Sequence, residues 1–244
     1  MLLRHDEVVT TTRGRPRLTT RRRPGTSARD EILDAAGELF TTRGYASTST
    51  RTIAEAVGVR QASLYHYFRT KDEILSALLH QTVTPSLHFA DRLADVEPAL
   101  TAAGQLHALA AFDGSQLLTG RWNLGALYLL PELREARLAS FWSDRERLRL
   151  HYLRISRATA AALGAGDADP VDDDTADLPF RLVEALVNMR AAKSVEHHDP
   201  DEAAAQDGPL LAERVADASL RVLGVSDEPL IAIRARTRGL LDAY

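Results

Sequence analysis

Apolar residues recur at three- and four-residue intervals along most of the chain, while the strict alternation that a half-buried strand needs is scarce. Residues 1–27 carry no such period and read as a disordered arm. The first periodic stretch predicts a helix over 27–43, with Ile32, Leu33, Ala36, Leu39 and Phe40 as its buried stripe. Ser27 is its cap, and Asp30 and Glu31 suit its first turn, where carboxylates complement the helix dipole. Gly44 ends this helix and Tyr45 tucks into a small core. A second helix over 49–56 is opened by Thr48, whose hydroxyl can accept from a free backbone N–H, and buries Ile53, Ala54 and Val57. Gly58 supplies a left-handed turn, and a third helix follows over 61–68. A fourth starts near Thr70 and runs through Ile74, Leu75, Leu78 and Leu79; Pro85 either kinks or ends it.

Beyond that point the pattern predicts more helices. Residues 98–118 are apolar and alanine-rich, 120–130 form a short segment, and Pro131 suits a first helical turn. Leu138, Phe141, Leu148, Tyr152 and Ile155 mark a long amphipathic helix over 132–163. An acidic loop at 164–174 precedes helices over 178–193 and 209–223, which a polar loop at 194–207 separates. The first of these is apolar on more than one face (Phe180, Leu182, Val183, Leu186, Val187, Met189), so something outside the monomer should cover one of them. The tail over 229–244 adds a basic helix with Arg234, Arg236 and Arg238, or frays.

The stretch over 48–71, TSTRTIAEAVGVRQASLYHYFRTK, carries the chemistry. Leu64 and Phe68 stand four apart and share a buried face with Val59, leaving Gln61, Ser63, Tyr65, His66 and Arg69 to point outward. Helix, glycine turn and a second helix with a polar tip is the helix-turn-helix arrangement, whose second helix enters the DNA major groove. Thr50 and Arg51 lie in the first turn of the helix before it, suited to a phosphate or an adjacent base. Gln61 can pair with adenine through both amide atoms, Ser63 can reach a base edge or phosphate, and Ala62 can touch a thymine methyl.

From about residue 28 to 79 the chain resembles the DNA-binding head of the tetracycline-repressor (TetR) family of bacterial transcription regulators. The resemblance rests on ILDAAGELFTTRGYASTSTRTIAEAVGV and the run RQASLYHYFRTKDEIL, and covers about a fifth of the chain. It implies the DNA-contacting set Thr50, Arg51, Gln61, Ala62, Ser63, Tyr65, His66 and Lys71, the last three as backbone-positioning residues. Tyr67 either packs inward or reaches a phosphate. Arg60 departs from the serine common at its position, so the third helix lacks a hydroxyl cap and Arg60 is itself a DNA-contact candidate. The resemblance also implies a homodimer through the helices near 178–193 and 209–223, a double-stranded DNA operator, and an unknown small-molecule effector bound in the body. His107, Trp122, Asn123, Tyr128, Trp142 and Asn188 are the candidate pocket residues, with core packing as the alternative for each.

Charge sharpens this picture. The net charge of −4 hides an asymmetry: residues 1–80 carry 13 Lys/Arg against 9 Asp/Glu, and residues 81–244 carry 17 against 25. A basic head on an acidic body suits a head that meets phosphate, because counterion release drives such binding. In the arm, Arg13, Arg15 and Arg17 form an RGRPR run like the core of an AT-hook, which lies in narrow A·T-rich minor grooves; the alternative is a solvated tail. The chain has no cysteine, which excludes disulfides and thiolate zinc sites. The uncharged, alanine-rich run 98–112 is 15 residues and too polar to span a bilayer, and no secretory segment opens the chain, so the expected location is the cytoplasm. No catalytic signature occurs, no cofactor is implied, and the run EHHDPD at 196–201 reads as a solvated loop rather than a metal site.

The expectation is therefore an all-α chain. A basic arm (1–27) precedes a three-helix helix-turn-helix domain (28–80), a helical effector-binding and dimerisation domain (81–225) and a tail (226–244). The function expected is a DNA-binding regulator, most simply a repressor released by an effector. An effector-independent architectural DNA binder and a helical enzyme with a vestigial head are the alternatives.

Overall fold

A capping box starts the first helix. The Ser27 hydroxyl accepts from the Asp30 N–H at 3.2 Å, and the Asp30 carboxylate accepts from the Ser27 N–H at 2.9 Å. The computed structural model describes residues 23–25, 27–95, 100–130, 138–164, 171–196 and 200–242. Helix α1 spans Ala28–Thr42 and buries the predicted stripe. Helix α2 spans Thr50–Val57, and here the predicted cap shifts by one residue. Ser49, not Thr48, accepts from the Thr52 N–H at 3.1 Å, because only Ser49 lies three residues before that donor. Thr48 is buried and donates to the Gly44 carbonyl at 2.9 Å, tying the end of α1 to the turn.

Gly58 closes α2 at φ +76°, a left-handed conformation that glycine adopts without a Cβ clash. Helix α3, Gln61–Tyr65, is shorter than predicted; no side chain caps it at Arg60. After Tyr65 the chain tightens, with the N–H groups of Tyr67 and Phe68 both donating to the Leu64 carbonyl. Leu64 and Phe68 are both buried beneath it, as their spacing required.

Helix α4, Lys71–Asp95, runs on through Pro85 instead of ending there. Helix α5, Ala102–Thr119, is capped by Thr101 and packs on α4 and on each of the following helices. These are α6 (Ala139–Leu163), α7 (Asp173–Glu196), α8 (Pro200–Arg221) and α9 (Asp227–Asp242), with a 3₁₀ helix at Leu124–Leu129 before α6.

One expectation changes here, and one left open is decided. The polar loop predicted over 194–207 is helical at 194–196 and 200–207, with 197–199 outside the described residues. Pro200 opens α8, where its missing N–H costs nothing, and Pro209 lies within that helix. The tail is a packed helix against α5, with Leu230 and Thr237 almost wholly buried. One hydrophobic core runs from α1 to α9, and the described residues contain no strand.

Candidate nucleic-acid interface

The polar tip of α2 and α3 rests on an apolar floor. Leu64 is 0 % exposed, and Ile53, Val57 and Phe68 are buried around it. Helical geometry then sends Gln61, Ala62, Tyr65, His66 and Tyr67 into solvent, with Ser63 half-buried. Tyr67, whose spacing left two orientations open, is 49 % exposed. Arg60 is exposed at the head of α3.

Three of these groups are tied together. The Gln61 amide nitrogen donates to the Thr50 hydroxyl at 3.1 Å and to the Tyr65 hydroxyl at 3.2 Å. Those two hydroxyls are themselves 3.2 Å apart. The triangle joins α2 to α3 and holds the Gln61 side chain in one rotamer, with both amide N–H groups engaged and the carbonyl oxygen left as an acceptor. The expected pairing with adenine through both amide atoms therefore requires one of these bonds to open. Arg51 pairs with Glu55 one turn along at 2.9 Å, in full solvent, and the pairing holds its guanidinium pKa up. An exposed pair of this kind is weak and yields readily to a phosphate.

Lys71 has an internal task. Its ammonium lies 4.0 Å from the centre of the Tyr45 ring and donates to the Tyr45 and Thr48 carbonyls at 2.8 and 2.9 Å. These carbonyls belong to the turn leading into α2, so Lys71 orients the tip from behind. The last residues of the expected arm differ from the expectation as well. Arg23, counted within it, forks onto Asp34 at 2.8 Å and Glu38 at 2.6 Å, and its Nε donates to the Ala56 carbonyl. Arg13, Arg15 and Arg17 lie outside the described residues.

Periodicity gave no sign of the contact between head and body. Asp34, on α1, accepts from Arg23, from Arg121 at 3.2 Å and from the Trp122 indole N–H at 2.9 Å. Gly37 makes room for that indole, since a Cβ there would meet Trp122 Cδ1 at 2.9 Å. The same segment grips α7 on its other side. Asn123 donates to the Val187 carbonyl at 3.1 Å, and Gly125 lies so close to Val187 that a Cβ would come within 2.4 Å. Arg190 of α7 completes the attachment by donating to the carbonyls of Leu117, at 2.8 Å, and Gly120.

The candidate pocket residues are therefore dispersed. Trp122 and Asn123 belong to this junction. His107 is buried between Asp217, at 3.2 Å, and the Thr237 hydroxyl, at 2.9 Å. Burial outweighs the pull of Asp217 and lowers its pKa. Tyr128 bonds Thr82, and burial raises its phenol. Trp142 lies beside Phe141 and the Arg145 guanidinium, and Asn188 is exposed on α7. Deeper in the body, Tyr152 donates to Asp113 at 2.9 Å, and complete burial pushes that carboxyl up to about 6. No cluster of metal-ligating side chains occurs among the described residues, and His197 and His198 lie outside them. No helix there is long and apolar enough to cross a membrane.

A helix-turn-helix head with a polar tip, carried on an all-α body, defines a class of bacterial DNA-binding regulators. Comparison with known proteins agrees. The sequence model for "Bacterial regulatory proteins, tetR family" matches residues 32–78. The crystal structure of Mycobacterium smegmatis AmtR is 47 % identical, covers 91 % of this chain and 98 % of its own, and superposes with a TM-score of 0.77. This chain belongs to the TetR family of transcription regulators. The transcriptional repressor KstR2 of Mycolicibacterium smegmatis is 40 % identical over 53 residues, 22 % of this chain, and the match spans about a quarter (26 %) of that repressor. The structure of Mycobacterium tuberculosis KstR2, a ketosteroid transcriptional regulator, shares the fold at 22 % identity and a TM-score of 0.59, over 82 % of this chain and 95 % of that one.

Proposed function

We propose that this chain is a homodimeric repressor that binds a partly palindromic operator through α3 and leaves it when a small molecule binds the body. The observation that carries this reading is the Thr50–Gln61–Tyr65 triangle, exposed at the tip of α2 and α3 above the fully buried Leu64. A glutamine already fixed in one rotamer loses little entropy on meeting a base, which favours specific recognition. Thr50, Arg51, Arg60, Ser63, His66 and Tyr67 surround it as phosphate or base contacts, with Ala62 against a thymine methyl. Lys71 acts by orienting the turn.

The dimer reading draws on α7 and α8. Leu178, Leu182, Ala185 and Met189 follow a four-three-four spacing on α7; Leu178 is 42 % and Met189 44 % exposed. Leu210 on α8, and Val222 just past its end, are also exposed. A stripe with this spacing suits a second copy across a two-fold axis, which sets two α3 tips about one DNA turn, roughly 34–36 Å, apart. Release by an effector draws on the junction: a shift of α7 pulls Val187 and Arg190, and through residues 120–125 reaches Asp34 on α1. This work needs no cofactor and no catalytic group, so the chain acts as a regulator rather than an enzyme.

Selection of bound duplexes from a randomised pool tests the reading. The expected product is a two-fold-symmetric site recovered by the purified dimer; a pool with no sequence enrichment sinks it.

A further inference from the structure

Helix α9 carries three arginines, and two of them are answered. Arg234 forks onto Asp217, and Arg238 reaches Glu213 at 2.7 Å, both on α8. Arg236 is exposed and makes no hydrogen bond or ion pair with the described residues. It stands on the lining of a cavity of about 350 Å³ between the first turn of α5, the end of α6 and the start of α9.

The rest of that lining is nearly all aliphatic, with Leu100, Ala103, Leu163, Val225 and Ile233 as its main walls. Its two hydroxyls are engaged: Thr159 donates to the Ile155 carbonyl, and Thr101 accepts from the Gly104 N–H. Leu163 is 49 % exposed, a large apolar side chain left in water at the cavity. The volume is at the lower end of the roughly 300–1,000 Å³ typical of small-molecule pockets.

Aliphatic walls and one unpaired guanidinium favour a particular chemistry. The walls take a hydrocarbon body, and the planar fork of the guanidinium matches a carboxylate through two parallel hydrogen bonds. A polyanion finds a single cation here, and a neutral molecule leaves that cation unused. We propose that the cavity between α5, α6 and α9 binds a small amphipathic carboxylate, its tail against Leu100, Leu163, Val225 and Ile233 and its anion on Arg236. The site is at the N-terminal end of α5, whereas the head-contacting segment follows its C-terminal end, roughly 27 Å away for a helix of this length. Occupancy is therefore separable from operator release.

Calorimetric titration of the full chain with decanoate, and with decanol as the uncharged match, tests this. Saturable binding of one decanoate per chain is expected, with decanol weaker by roughly tenfold. Arg236→Gln removes that advantage and leaves decanol unchanged. Ala232→Phe, at an exposed position on the lining, blocks both ligands. Equal affinity for the two ligands in the natural chain, or decanoate binding indifferent to both substitutions, overturns the proposal. So does a decanoate-driven change of oligomeric state without saturation, which assigns the cavity to a second copy.

Discussion

Gln61 illustrates how a short polar side chain is made into a reading group. On an isolated five-residue helix it samples many rotamers; here Thr50 and Tyr65 hold it. Tyr65→Phe removes one leg of the triangle and leaves the Leu64 floor intact. Operator affinity is expected to fall by about 1 kcal/mol, with non-specific DNA binding unchanged, as read by fluorescence anisotropy on matched and scrambled duplexes. Asp113 has a different consequence. Its carboxyl is raised to about 6, so the folded state holds a proton that the unfolded chain releases near 4. Its contribution to stability is complete below the unfolded value and is lost as pH rises through about 6. Asp113→Asn is therefore expected to gain on the natural chain between pH 4.5 and 7.5, by up to about 3 kcal/mol, in paired denaturant titrations. A difference independent of pH contradicts this assignment.

Among the elements, those with strong local signals were legible in the sequence. The stripe of α1, the Gly58 turn and the Leu64–Phe68 pair needed only periodicity and one left-handed glycine. The extent of α8 did not, because proline and acidic residues at 200–207 resemble a loop, while Pro200 at a first turn breaks no bond. Helix α9 was ambiguous for a related reason: its arginines read as solvated until Asp217 and Glu213 of α8 are seen to face two of them. The junction at Asp34 was invisible, since its partners lie 87 and 88 residues along the chain and carry no motif. Asp34→Ala leaves the Trp122 N–H without its acceptor and the Arg23 fork with Glu38 alone, and is expected to destabilise the chain by about 1–3 kcal/mol in denaturant titration. On α7, Leu178→Glu with Met189→Glu places charges on the exposed stripe. Sedimentation is expected to show monomers with helical content retained, and unchanged assembly would move the interface elsewhere.

In the whole molecule, one segment, residues 120–125, joins the reading head to an acidic body and is bonded to both α1 and α7. The six arginines of residues 1–22, against Asp6 and Glu7, supply all of the net positive charge of residues 1–80. Removing residues 1–22 is expected to flatten the dependence of operator affinity on salt if they meet phosphate, and an unchanged slope assigns them no part in binding. The central claim is that α3 reads bases from a fixed glutamine, and side-by-side selection of duplexes by the natural chain and by Gln61→Ala tests it most directly. A symmetric site is expected for the natural chain, and for the variant a loss of preference at one base pair in each half-site, worth about 1–3 kcal/mol, with the flanking positions unchanged. Two identical recovered sites, bound with equal affinity, would contradict it.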